Sequence, residues 1–201
     1  MTPRFLTRRE LKYLLKEDCA PAHVVDFHAV PMVVLSDNVS SWLSWKIKRH
    51  THGFYNHAMI LHKLVVGKSP WVATQDMPLF RERPLSDYLK GGHRLKFWVN
   101  TSWTPSQKEG IKAACRLKGL RKWYRRLYDF PGVLGQWLGL KGLQAPHAQF
   151  CSEWVAAILR ETGERVEAQP SPADLNRYFK AHDDWEVWGY FDPEIEVDEC
   201  D

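Results

Sequence analysis

Apolar and polar positions along the chain fall into short runs with either helical or alternating spacing, and each run predicts one element. "RRELKYLLKE" sets Leu11, Leu14 and Leu15 at helical spacing and predicts a short amphipathic N-terminal helix ending near Pro21. "AVPMVVL", Ala29 to Leu35, is continuously apolar and rich in valine, as in a buried strand. The polar "SDNVSSW" after it offers N-cap residues for a helix over "SSWLSWKIKRH". From Phe54 to Val66 the pattern becomes that of a strand, "GKSP" supplies turn chemistry, and "WVATQ" returns, which predicts a hairpin. Its first strand puts His57, Met59 and Leu61 on one face and Ala58, Ile60 and His62 on the other. "RLKFWVN", Arg94 to Asn100, reads as a further strand, so the sheet is expected to be mostly antiparallel.

Helical patterning dominates the second half. Thr104 as N-cap, Pro105 at the first helical position and Gln107 three residues after the cap predict a helix ending near Gly119. "YDFPGVLGQWLGLKGLQAP" mixes glycine with apolar residues and is expected to be a long loop or broken helix beside whatever the protein binds. In "HAQFCSEWVAAIL" the residues Trp154, Val155, Ile158 and Leu159 share one helical face, Thr162-Gly163 is a stop, and Cys151 falls in the first turn. "SPADLNRYF" repeats the start pattern with Ser171, Pro172 and Asp174. Helix, strand, helix, strands, helix, loop, helix is the order of an α+β domain.

Composition bounds this picture more than it changes it. A chain of 201 residues, 44% hydrophobic and carrying ten tryptophans, suits one packed domain. The expected organisation is an N-terminal helical extension over 1–28, the domain proper over 29–182, and an acidic, aromatic tail over 183–201. Charge marks that last boundary: Asp183 to Asp201 holds nine acids and no Lys or Arg, leaving Met1 to His182 at about +13 although the whole chain is only +4. A basic body fits an anionic polymer or a membrane surface. It equally fits solvated helix faces, "RRELKYLLK" and "RLKGLRKWYRR", on which the acidic tail folds back. No specific nucleic-acid partner is expected. The N-terminus lacks a signal-peptide core and no run approaches the roughly 20 apolar residues of a membrane span, so synthesis as a soluble, cytoplasmic protein is expected.

The chemistry to be placed lies in the cysteines and histidines. Cys19, Cys115, Cys151 and Cys200 have no CxxC spacing, and free thiols are expected. A thiol at a helix N-terminus feels unpaired backbone N–H groups, which favour the thiolate and lower its pKa, so Cys151 is a candidate nucleophile; as a small residue before an apolar stripe it is equally a candidate core residue. A cysteine nucleophile needs a base, usually imidazole, and a third polar group that orients the ring. His57, in an otherwise apolar strand, leads; His147, one turn before Cys151, competes. "HTH" at 50–52 is a weak metal signal, and neither metal nor cofactor is expected.

"VVLSDNVSSWLSWKIKRHTHGFYNHAMIL", "PLSDYL", "YDF", "FCSEWVAAIL" and "SPADLNRYF", in this order, resemble the circularly permuted branch of the NlpC-type, papain-like cysteine hydrolases. This is the branch of YiiX-like and lecithin retinol acyltransferase-like proteins, in which histidine precedes cysteine. The resemblance runs from about Val33 to Phe179. It implies a strand histidine at His57, a helix-start cysteine at Cys151 within "CSE", and a tyrosine-aspartate pair at Tyr128 and Asp129 lining the site. Members often carry a glutamate or histidine on the strand after the histidine strand. Here "WVATQDM" offers Thr74, Gln75 and Asp76 instead, and Gln75 is taken as the third catalytic residue because amides hold the ring in related triads. Acyl transfer through a Cys-His pair is thereby implied. Peptidoglycan stem peptides are the first expected substrate. An acyl lipid held by "GVLGQWLGLKGL" with Trp137 is the second, and a binding role in a virion or secretion assembly, with the site idle, is the third. A wall substrate would further require delivery to the wall, by lysis, secretion or a phage particle.

Overall fold

The structure, a computed structural model of the chain, describes residues 4–5, 30–38, 49, 53–65, 68–76, 79–90, 92–120 and 150–193. Its strands are β1 (Arg4–Phe5), β2 (Met32–Asn38), β3 (His57–Val65), β4 (Lys68–Gln75), β5 (Phe80–Pro84), β6 (His93–Asn100) and β7 (Trp185–Phe191). Its helices are α1 (Ser86–Lys90), α2 (Pro105–Leu120), α3 (Cys151–Glu161) and α4 (Pro172–Ala181). The strands form one sheet in the order β1-β7-β6-β2-β3-β4-β5, antiparallel throughout except where β1 runs parallel to β7. The protein is therefore α+β, with the mostly antiparallel sheet that the alternating runs predict.

Both faces of the sheet are apolar, which is why β2 reads as a continuous rather than an alternating hydrophobic run. Val33, Leu35, Ala58, Ile60, Ala73 and Trp98 point to the face covered by α2, α3 and α4. Met32, Val34, Met59, Leu61, Val72 and Phe97 point to the other, where Leu85 and Tyr88 of the α1 region cover them. Helix starts follow the expected chemistry. The Thr104 N–H donates to Gln107 Oε1 at 2.9 Å and the Gln107 N–H to Thr104 Oγ1 at 3.3 Å. Ser171 and Asp174 make the same reciprocal pair. After α3 the chain turns at Gly163, whose φ of 97° is a left-handed conformation that a side chain disfavours.

Two expectations at the chain ends change. Residues from Trp185 on do not begin a separate tail: Trp185 to Phe191 is β7, paired with β6, and both Trp185 and Phe191 are buried. The strand is hidden in the sequence by its acidic setting, yet its aromatic residues bury enough apolar surface to hold it in the sheet. Arg4 and Phe5, expected to lead into a helical extension, pair with Gly189 and Tyr190. The helices expected over Leu11 to Leu15 and "SSWLSWKIKRH" lie outside the described residues, Arg49 apart, which is helical. So do Cys19, Cys200, His50, His52 and the "RKWYRR" cluster. No helix among the described residues is long and apolar enough to cross a membrane.

His62 illustrates what this packing costs in acid. Its side chain is fully buried on the α2 and α3 face, with Nε2 3.4 Å from Glu82 Oε1. Burial first, then Arg116 and Lys63, hold its pKa down at about 4 against 6.5 for a free histidine. Because the folded value lies below the unfolded one, the stability it confers is fully present above pH 6.5 and drains as pH falls toward 4, by about 3 kcal/mol in all. Urea unfolding from pH 7 to pH 4 should show His62→Leu losing markedly less stability over that interval than the parent protein. Equal losses would mean that His62 is not the group being titrated.

Candidate active site

Cys151 is the first residue of α3 and is 3% exposed. The helix is held at this end by Glu153, whose Oε2 accepts the Phe150 N–H at 3.2 Å; Phe150 has no side-chain acceptor to reciprocate. Ser152 Oγ donates to the Pro170 carbonyl at 2.6 Å, tying the same turn to the start of α4. The apolar stripe of α3, including Trp154, Val155 and Ile158, packs on β3 and β4. The thiol is thereby carried to the start of β3, against the backbone N–H of Ala58.

Ala58 follows His57, so the thiol lies at the start of the strand that also carries the histidine. The imidazole is fixed from β4. His57 Nε2 lies 2.8 Å from Thr74 Oγ1 and 3.9 Å from Asp76 Oδ1, and Thr74 Oγ1 donates to the Ala58 carbonyl at 3.1 Å. A hydroxyl has one proton, and this one is committed to Ala58. Thr74 therefore accepts from His57 Nε2–H, a tautomer that the nearby Asp76 also favours, and Nδ1 is left as the lone-pair nitrogen. Asp76 Oδ2 is in turn 3.4 Å from Arg83 Nε.

Of the three residues offered by "WVATQDM", Thr74 and Asp76 stand at the ring. Gln75, taken from the sequence as the third residue, points to the opposite face: it pairs with Phe80, which packs on Trp154 of α3. Alternation along β4 is the reason, since neighbours on a strand cannot share a face. Three further residues surround His57 without having been singled out. Tyr88 stacks on its ring at 6.1 Å between centroids, and His93 meets Tyr88 edge-on at 5.3 Å. Arg83 completes the set through Asp76. Tyr88 belongs to "PLSDYL", and its buried hydroxyl meets no hydrogen-bond partner among the described residues. Tyr128, Asp129, Trp137 and His147 lie outside the described residues.

The electrostatics correct a second expectation. Burial pushes the Cys151 thiol up to about 12, outweighing the Ala58, Ser152 and Cys151 N–H groups that favour the thiolate; Asp76 adds to the rise. Burial also lowers the His57 pKa, with Asp76 opposing and with His93 and Arg83 reinforcing the shift. At neutral pH both partners are uncharged. The arrangement is a thiol beside a free base, not a preformed thiolate-imidazolium pair, because a charge pair in this dry setting costs more desolvation than it regains. Among the described residues no group of His, Cys, Asp and Glu is disposed to hold a metal ion.

A comparison with solved structures finds a likeness to the metalloprotein YiiX from Escherichia coli O157:H7, 17% identical, over 68% of this chain and 67% of that one, with a TM-score of 0.46. The sequence matches no protein-family model and no curated protein.

Proposed function

We propose that this protein is a cysteine hydrolase of the permuted papain-like, NlpC-type kind, acting by acyl transfer through Cys151 and His57. The observation that carries the reading is the placement of Thr74 and Asp76 at the Nε2 end of His57, which favours a proton on Nε2 and leaves Nδ1 as proton acceptor on the strand against whose start the thiol rests. In the acylation step, Cys151 Sγ attacks a carbonyl carbon as Nδ1 takes the thiol proton. The negative charge moves to the carbonyl oxygen, where backbone N–H groups at the start of α3 stabilise it. Collapse of this intermediate breaks the bond to the leaving nitrogen or oxygen, which receives the proton from Nδ1. Water, activated by the same imidazole, then attacks the thioester and frees the acid and the thiol.

Deprotonation that is concerted with attack suits a thiol held near 12, since no standing thiolate is needed. Thr74 and Asp76 serve as positioning residues in place of Gln75. Asp76 also offsets the positive charge that forms on the ring during the transfer. An amide of a peptidoglycan stem peptide is the proposed substrate. Incubation with peptidoglycan fragments and, in parallel, with acyl esters, followed by mass spectrometry of the products, tests the assignment. Release of free amine from the stem peptides supports it; turnover of long-chain esters alone moves the assignment to a lipid acyl substrate.

A further inference from the structure

Three buried polar atoms around His57 have no hydrogen-bond partner among the described residues: Ser36 Oγ, the Tyr88 hydroxyl and His93 Nδ1. Ser36 is fully enclosed, Tyr88 is 7% exposed and His93 is half-buried. Leaving a buried polar atom unpaired costs more than a hydrogen bond returns, so three such atoms around one residue point to a bound polar molecule.

Register gathers them. Ser36 on β2 is the cross-strand partner of His57 on β3 and of Leu95 on β6, and His93 stands two residues before Leu95. Their face is that of Met32, Val34, Met59 and Phe97, so all three histidine and serine side chains project to one side of the sheet. β3 and β6 flank β2 about 10 Å apart, and the Tyr88 ring reaches both, with its centroid 6.1 Å from that of His57 and 5.3 Å from that of His93. Tyr88 therefore spans β2 as a roof over Ser36, with the two imidazoles as walls. His57 Nε2 is turned to Thr74 on β4, and the two nitrogens of an imidazole point away from each other, so Nδ1 is turned toward the β2 side. Burial first, then the charges of Asp76 and Cys151, raise the pKa of the Tyr88 hydroxyl, which keeps the thiol close to this roof as well.

We infer that Ser36, Tyr88 and His93 hold the water that releases the acyl group from Cys151. The bonding fits one water: it accepts from the Ser36 and Tyr88 hydroxyls and donates to His93 Nδ1 and His57 Nδ1. Burial holds the His93 pKa down against the pull of Asp37 and Asp76, so the ring is neutral at pH 7 and, with its proton on Nε2, accepts at Nδ1. In the step itself the water oxygen bonds to the thioester carbon as one of its protons passes to His57 Nδ1. The C–S bond then breaks and that proton goes to the sulfur, giving the free acid and the thiol. The site rests on the acyl-transfer reading and makes the protein a hydrolase rather than a transferase, because a water already in place outcompetes an external alcohol or amine.

The two half-reactions of p-nitrophenyl acetate separate the roles: the p-nitrophenol burst reports acylation and the steady phase reports release by water. Tyr88→Phe and Ser36→Ala each delete one hydroxyl and should lower the ratio of release to acylation about tenfold, so that acetyl-Cys151 accumulates. Hydroxylamine attacks a thioester without a positioned water and should restore turnover in both variants. On the unmodified protein, methanol should compete with water for the acetyl group whereas n-butanol at the same concentration should not, a measurement that needs no variant. If the ratio holds in both variants, or if butanol takes the acetyl group as readily as methanol, the water site is wrong and the acyl-transfer reading stands. Absence of acetyl from Cys151 in the unmodified protein overturns both.

Discussion

Replacing Cys151 with alanine is expected to lower turnover of any accepted substrate by at least about 10⁴-fold, with the fold intact. The size follows from the role: with the sulfur gone there is no covalent intermediate, and only binding and the N–H groups at the start of α3 remain. The fold should survive because the change removes one sulfur at the edge of a packed stripe whose larger members, Trp154, Val155 and Leu159, stay in place. Circular dichroism and a thermal melt verify the fold, and turnover is measured on peptidoglycan fragments and p-nitrophenyl acetate. Cys115→Ala provides the contrast. Cys115 is equally buried and burial likewise raises its pKa, but none of the polar groups that touch His57 surrounds it, so its loss should leave turnover within about twofold. Comparable losses in both variants would reassign Cys151 to the core.

The second large effect concerns the base and the shape of its pH dependence. His57→Ala should cost about 10³-fold or more in acylation, because the thiol then has no acceptor for its proton within the site. In the parent protein burial holds the imidazole below its ordinary value, so the base is free through the neutral range, and activity should fall only in acid, as the ring protonates. Asp76 is the neighbour that raises that value; with Asp76→Asn the acid limb should move to lower pH while the plateau drops through the lost support for the imidazolium. Thr74→Val should lower the plateau too, since it removes the acceptor that fixes the tautomer. Gln75→Leu, on the opposite face, should leave the position of the limb unchanged. A limb that follows Gln75 and ignores Asp76 would return the positioning role to the residue chosen from the sequence.

The replacement of Gln75 by Thr74 and Asp76 at the ring marks the limit of what the sequence encodes locally. Periodicity was sufficient to place β3 and its two faces, because alternation is a property of the backbone, and Thr104, Ser171 and Pro172 place two helix starts through local hydrogen bonding alone. Cys151 and His57 stand out as candidates for a related reason. Each is chemically out of keeping with the apolar run around it. Choosing among Thr74, Gln75 and Asp76 required knowing which face of β4 meets the ring and where the strand ends, and both depend on pairing with β3. Tyr88 and His93 reach the site from beyond β5, and no local pattern encodes that. The thiol's raised pKa was missed because a helix terminus is visible in sequence and the depth of burial is not. Trp185 to Phe191 does not stand out as a strand in the sequence because acidic residues flank and interrupt the aromatic ones that hold it in the sheet.

One measurement bears on the central claim most directly: single-turnover mixing of the protein with p-nitrophenyl acetate at pH 7, quenched in acid, digested and read by mass spectrometry. The account predicts one acetyl group on the Cys151 peptide, formed with the p-nitrophenol burst, greatly slowed by His57→Ala and lost on standing as water releases it. Acetyl appearing on Cys115 or on lysines at the same rate with and without His57, and none on Cys151, would contradict it.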